Sequence, residues 1–498
     1  MRKKLVLIII SLCLIFSLLT ARIGYIVFGG EYAVNEGVNS LAVTVDKREY
    51  NLYYSDIKPL TNNIKKRIAV IRPSQKSIGE LTKAFSLGEV SDITQELKLG
   101  KPVVKEIDKD TELKYSTTYN SCDTLCTCTQ LISKESAGLL SHIDHPRYER
   151  RVNFSVDALG RMLSGDTGTL MTNDGFYSRE GLVLTLDEKI QELTYEACKG
   201  MKSGCAVVMR VEDSAILSCV TKPDDSYLNK PFSQYSVGSV FKVAVAACAL
   251  ENGMDNEFEC TSSITVGDTV YTCQKDKAHG KQHLKEALEN SCNCYFVNLA
   301  LTLGADKLSK TLDELDFNGK TTLYNGFEFK NARLPSETDL KSRGELSLLG
   351  FGQGKLTAAP FAICNLLCTV ADGGYYKSPY LIKGSIDGNG VYKEYEHDNK
   401  KAVMRKESAD TLLTYLRGVV ENGTGKAADY NGNSAGKTAT AQTGQFENGR
   451  EILNTWFAGV YPYDNPEYAI VIMYENGTSG ASDCCPIFRT IVENLDRM

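Results

Sequence analysis

The stretch "QYSVGSVFKVAVAACALENG", residues 234–253, constrains this chain more than any other. From Val240 to Leu250 almost every residue is apolar and four are alanine, and Asn252 and Gly253 close the run, so it reads as a buried helix ending at a glycine stop. Ser239 and Lys242 stand at its front. Positions i and i+3 share one face of a helix, which lets the hydroxyl of Ser239 meet the amine of Lys242. Burial lowers the pKa of a lysine, and a neutral amine accepts a proton from a serine hydroxyl. The two residues then form a nucleophile beside its base. The plainer reading is a serine N-cap with a lysine snorkelling out of the first turn.

The surroundings of this helix suggest an α+β domain. "LTLDEKIQELTYEACKG" reads as a helix capped by Thr185 or Asp187 and stopped at Gly200. "GCAVVMRV" and "SAILSCV" follow as two strands around a polar turn. After the Ser239 helix the pattern is largely helical to about residue 375, then returns to strands in "GKTATAQ", "NTWFAGVYP" and "EYAIVIMYENG" and closes on the helix "CCPIFRTIVENLDRM". Strands, a helical insert, strands again and a last helix describe one mostly antiparallel sheet with helices on its faces. At 498 residues and 42% apolar content the chain has room for two folded domains. Its net charge of -6, without a long run of one sign, leaves no basic footprint for nucleic acid.

The amino end reads as a membrane anchor. "MRKK" precedes 17 residues without a charge, and "IGYIVF" beyond Arg22 prolongs the run. No clear A-x-A site follows, so an uncleaved span with its basic end inside is expected over residues 1–30, with a cleaved signal peptide as the rival. Residues 31–178 are mixed and polar, with strands such as "RIAVI" and amphipathic pieces such as "IGELTKAFSLG", and carry no catalytic constellation. The 16 cysteines are too sparse for a disulfide scaffold. Cys248, Cys364 and Cys368 read as small core residues, and Cys122, Cys126 and Cys128 lack zinc-finger spacing, so no metal and no cofactor is expected. "ECTSSITVGDTVYTC" reads as a hairpin around Gly267, which leaves Cys260 and Cys273 either disulfide-bonded or as two thiols.

A serine nucleophile needs a positioned base and a held oxyanion. Only His142, His145, His279, His283 and His397 exist, and no G-x-S-x-G elbow surrounds Ser239, which favours Lys242 over a histidine base. In "ENSCNCYF", Ser291 and Asn293 fall in a short break between two helical runs, where a hydroxyl can relay a proton and an amide can donate to a substrate. "AGKTATAQTG" places Lys437, Thr438, Ala439 and Thr440 on a strand whose small residues suggest an exposed edge able to pair with an extended peptide. Lys437 there can hold a substrate carboxylate.

Ser-x-x-Lys, Ser-x-Asn and Lys-Thr-small in this order form the acyl-transfer signature of penicillin-binding proteins and class A β-lactamases. The chain resembles a class B penicillin-binding protein. The likeness takes in "LTLDEKIQ", "YSVGSVFK", "HGKQHLKEALENSCNCYF", "GFGQGKLTAAPF" and "NTWFAGVYP", and more faintly "NLYYSDIKPLTN". It implies a penicillin-binding transpeptidase, serine β-lactamase-like domain over 179–498, following an elongated non-catalytic pedestal over 31–178 and the anchor. It implies a peptidoglycan D,D-transpeptidase in which Ser239 attacks a D-Ala-D-Ala amide and Lys242 takes its proton. Ser291 and Asn293 relay and position, Lys437 and Thr438 engage the terminal carboxylate, and the N–H groups of Ser239 and Thr440 form the oxyanion hole. It further implies stem peptides and β-lactams as ligands, a SEDS-family glycan polymerase as partner, a homodimer through the pedestal, and a single-pass location at the cell membrane with the catalytic domain outside. Ala439 departs from the family's glycine, and its methyl is expected to narrow the cleft. A β-lactamase or β-lactam sensor on the same fold, and a catalytically impaired scaffold, are the alternatives.

Overall fold

The computed structural model describes residues 10–22, 40–145, 148–397 and 399–498, which fall into two compact units. The first unit comprises Met1–Glu49, Asn62–Asp123 and Arg147–Tyr177. Strand β1 (Ser40–Arg48) pairs antiparallel with β5 (Tyr148–Ser155), which pairs with β6 (Thr169–Thr172). A second sheet centres on β2 (Ile64–Ile71), which contains "RIAVI" and lies between β3 (Val103–Ile107) and β4 (Ser116–Asp123). Helix α1 (Leu87–Lys98) starts at a capping box between Ser86 and Glu89 and buries Ile93 and Leu97 with Ala69, Ile71 and Ile107. Residues 10–22 are helical. Among the described residues no helix is long and apolar enough to cross a membrane. Residues 1–9 and 23–30 of the expected anchor lie outside the described residues.

The second unit is built on a five-stranded sheet, every neighbouring pair antiparallel. In chain order its strands are β7 (Gly204–Arg210), β8 (Ile216–Lys222), β13 (Ala435–Glu447), β14 (Arg450–Tyr461) and β15 (Tyr468–Glu475). In space the order is β8-β7-β15-β14-β13, so the end of the chain returns beside β7, with Tyr468 opposite Arg210. Side chains of a strand alternate between faces. Val207, Met209, Val471, Met473 and Trp456 accordingly enter one apolar cluster, while Ala206, Val208, Ile470, Ile472 and Phe457 enter another. The first cluster contains α3 (Lys242–Glu251) and α6 (Pro360–Ala371); the second contains residues of α2 (Glu188–Ala197) and α8 (Cys485–Leu495). Each fully buried aliphatic or phenyl side chain in these layers contributes roughly 1.5–3 kcal/mol. Asp187, not Thr185, caps α2 by accepting from the N–H of Ile190 at 3.0 Å.

Two expectations change here. The division at residue 178 is not contiguous, because Tyr50–Thr61 and Thr124–Pro146 belong to the second unit with Ser178–Met498. Asn51–Tyr53 pairs parallel with Gly181–Leu184, and Leu131, Ile132, Leu139 and Leu140 enter the same core as Leu184. Burial of these leucines outweighs their place in a mostly polar stretch. The region after α3 is also less helical than expected. It contains nested hairpins, in which β9 (Phe258–Cys260) pairs with β12 (Gly280–Gln282) around β10 (Ser263–Val266) and β11 (Thr269–Thr272). A further hairpin joins Lys320–Tyr324 to Phe327–Lys330. The turn at Gly267 has φ +61°, which favours glycine.

Candidate active site

Ser239 lies in a 3-10 turn, Gly238–Phe241, that feeds directly into α3, whose first residue is Lys242. Gly238 has φ +56°, and a methyl added there would sit 3.1 Å from Ala441, so the turn needs glycine to approach β13. Three contacts fix this segment. The N–H of Gly238 donates to Gly352 O at 2.9 Å, Tyr235 pairs with Ala358, and Trp456 Nε1 donates to Ser236 O at 3.0 Å. The first two come from "GFGQGKLTAAPF", which therefore acts as a brace for the nucleophile turn.

Lys242 is 0% exposed. Its Nζ donates to Ser291 O at 2.7 Å and Asn293 Oδ1 at 2.9 Å, and lies 3.4 Å from Ser291 Oγ. Burial lowers this amine to a pKa of about 8, with the nearby thiols of Cys292, Cys273 and Cys294 opposing the shift. Among the described residues the half-buried Ser239 hydroxyl makes no side-chain hydrogen bond, and the expected contact with Lys242 is not closed. Catalytic hydrogen bonds are often long in ligand-free sites and tighten with substrate.

Ser291 sits between α4 (Leu284–Glu289) and α5 (Asn293–Leu303), in the break read from the sequence. Its φ is +53°, a left-handed conformation that costs a non-glycine residue about 1–3 kcal/mol and persists only where the surroundings impose it. Asn293 donates through Nδ2 to Thr272 O at 3.0 Å while its Oδ1 receives Lys242. Lys437, also 0% exposed, donates to Ser291 Oγ at 2.9 Å and Thr438 O at 3.0 Å. Burial, and then the charge of Lys242, push it well below the usual lysine value. One hydroxyl thus stands between two lysine amines, an arrangement suited to moving a proton between the nucleophile and a leaving group.

Thr438 shares a 2.6 Å hydrogen bond with the hydroxyl of Thr424, a residue the sequence reading missed because it lies in the loop after α7 (Lys406–Glu421). Thr440 is half-buried opposite Thr455. Ala439 is 3% exposed and belongs to the apolar cluster of Trp456 and Val240.

A second feature also escaped the sequence reading. The donor atoms of Cys260, Cys273, His279 and Cys292 all lie within 4.8 Å of one another, a set that can hold a metal ion. The sequence singled out none of these four together, since they lack a compact ligand spacing and only the nested hairpins gather them. All cysteines among the described residues are free, so Cys260 and Cys273, with sulfurs 3.7 Å apart, are two thiols. Contact with Cys292 and Cys294 holds Cys273 well below the usual thiol range, while Cys292 is pushed up to about 12 by the same contact with Cys273.

An antiparallel five-stranded sheet flanked by helices, with a serine and two lysines converging on a Ser-x-Asn break, defines a serine/lysine acyl-transfer type of site. Residues 204–493 match the family described as penicillin binding protein transpeptidase domain. The chain belongs to that family. It is 29% identical over 378 residues to stage V sporulation protein D of Bacillus subtilis (strain 168), covering 69% of this chain and 57% of that protein. It is 26% identical over 375 residues to the peptidoglycan D,D-transpeptidase MrdA of Haemophilus influenzae, covering 62% and 55%. The chain thus spans little more than half the length of these relatives. In fold it is similar to the D,D-transpeptidase domain of a peptidoglycan glycosyltransferase from Eggerthella lenta, with a TM-score of 0.62 at 20% identity over 91% of this chain and 99% of that one.

Proposed function

We propose that this chain is a peptidoglycan D,D-transpeptidase that is acylated by penicillin. The observation that carries the reading is the convergence of the Lys242 and Lys437 amines on Ser291, with Lys242 one turn along the chain from the half-buried Ser239. Neutral Lys242 takes the proton of Ser239 as the oxygen attacks the D-Ala-D-Ala carbonyl carbon. Backbone N–H groups of Ser239 and Thr440 receive the oxyanion. The C–N bond breaks, the departing D-alanine amine receives a proton through Ser291, and the acyl group stays on Ser239. An amine from a second stem peptide then attacks this ester and restores the hydroxyl. Lys437 acts through Ser291 and the strand edge, and Thr438 with Thr424 offers hydroxyls to the substrate carboxylate.

A membrane-anchored location outside the cytoplasm is part of the same proposal. The helix at 10–22 leaves Leu12, Phe16 and Leu18 exposed, as suits a lipid neighbourhood, and follows the basic start "MRKK". A SEDS-family polymerase as partner and a dimer through the amino-terminal unit belong to the proposal as well, on family resemblance alone. The lifetime of the penicilloyl adduct tests the reading. A long-lived adduct together with amide formation from a D-Ala-D-Ala donor and an amine supports it. Rapid release points to a β-lactamase, and no adduct points to a scaffold.

A further inference from the structure

We propose that Cys260, Cys273, Cys292 and His279 bind one thiophilic divalent cation of the zinc class, and that this centre positions the Ser291–Asn293 break. The residues come from three places. Cys260 ends β9, Cys273 and His279 lie on the two sides of the loop between β11 and β12, and Cys292 is the N-cap of α5.

Three of the donor spacings are those of a tetrahedral ion, and all four donors lie within 4.8 Å of one another. Zinc bonds of about 2.3 Å to sulfur and about 2.0 Å to nitrogen place neighbouring donors roughly 3.5–3.8 Å apart. The Sγ atoms of Cys260 and Cys273 are 3.7 Å apart, those of Cys273 and Cys292 3.6 Å, and Cys260 Sγ is 3.5 Å from His279 Nδ1. A disulfide needs about 2.05 Å, and each of these gaps is far longer. Cys260, Cys273 and Cys292 are buried and His279 half-buried, so a bound ion has a dry side and an entry side. Three cysteines and one histidine match a closed structural zinc set.

The surroundings are those of a ligand shell. Cys292 Sγ accepts the N–H of Tyr295 at 3.4 Å in the first turn of α5, where the helix terminus favours negative charge. Cys294 lies 3.5 Å from Cys273 Sγ and stands as an outer contact, and the N–H of His279 donates to Cys260 O. Binding releases the thiol protons to solvent, forms metal–sulfur and metal–nitrogen bonds, and changes no oxidation state.

The placement gives the centre its role. Cys292 stands between Ser291 and Asn293, the two residues that hold the Lys242 amine, and Ser291 is in a left-handed conformation that must be imposed. A bond from Cys292 to an ion anchored on the hairpins imposes it.

The experiment uses the full chain expressed in zinc-supplemented medium and purified without chelator. Mass spectrometry of the metal content is expected to give about one zinc per chain. Cys260→Ser and His279→Ala should lower that content, and cobalt added to stripped protein should give a thiolate-to-cobalt charge-transfer band that Cys292→Ser abolishes. Folding of each variant is followed by circular dichroism. Stripping the unaltered protein with a chromogenic chelator should slow penicillin acylation at least tenfold, with recovery on adding zinc. A folded, penicillin-reactive protein with neither zinc nor a cobalt band overturns the site. Zinc that leaves without changing the acylation rate overturns its positioning role. Metal content is read independently of acylation, so a failure of the transpeptidase reading is distinct from a failure of this one.

Discussion

The pH dependence of acylation follows directly from the burial of Lys242. Its pKa of about 8 means that the neutral, proton-accepting form is depleted below pH 8 and dominant above it. The neutral fraction is about 10% at pH 7, about half at pH 8 and about 90% at pH 9. Lys437 is also held below the usual lysine value, by burial and by the charge of Lys242. The second-order rate of acylation by a fluorescent penicillin should therefore grow about fivefold from pH 7 to 8, less than twofold from 8 to 9, and then level off. A lysine with the ordinary pKa of about 10.4 would instead give a rise of about tenfold per unit through the whole range. Stopped-flow acylation at constant ionic strength distinguishes the two curves. A tenfold rise per unit continuing past pH 9, or a rate flat from pH 6 to 9, would refute Lys242 as the base.

Other consequences are local. Ala439→Gly removes a methyl that is 3% exposed in an apolar cluster, so it should cost about 0.8 kcal/mol of burial plus about 0.5–1 kcal/mol of strand stiffness. Calorimetry should show melting a few degrees lower, with acylation unchanged within about threefold; a tenfold faster acylation would show that the methyl crowds the ligand. Trp456→Phe loses the hydrogen bond to the half-buried Ser236 O, so it should destabilise by about 0.5–1.5 kcal/mol and slow acylation. In the first unit, the carboxylate of Asp46 is fully buried and accepts from Ser121 Oγ at 2.7 Å and Arg150 at 3.0 Å. Asp46→Ala should remove about 3 kcal/mol, seen as faster hydrogen exchange in β1, β4 and β5 but not in α3.

Much of the site was legible in the sequence because each motif sits on a local signal. The apolar run after Ser239 announced a buried helix, the break holding Ser291 fell between two helical patterns, and small residues marked the strand of Lys437. Their convergence could only come from the family resemblance, since nothing local states which helix faces which strand. The 3-10 form of the Ser239 turn was not legible either, because it depends on how closely Gly238 approaches Ala441. The segments Tyr50–Thr61 and Thr124–Pro146 were assigned to the wrong unit for the same reason. A three-residue strand such as Asn51–Tyr53 is too short to show a period, and its partner Gly181–Leu184 is distant in sequence. Cys260, Cys273, His279 and Cys292 lack a compact ligand spacing, and each alone resembles an ordinary core or loop residue.

In the proposed reaction Ser239 is the acylated nucleophile. Incubation of the purified chain with penicillin, followed by intact-mass measurement and peptide mapping, tests it directly. One penicilloyl group per chain is expected, carried by the peptide containing Ser239 and absent from a folded Ser239→Ala variant. An adduct on any other residue, or undiminished labelling of Ser239→Ala, would contradict it.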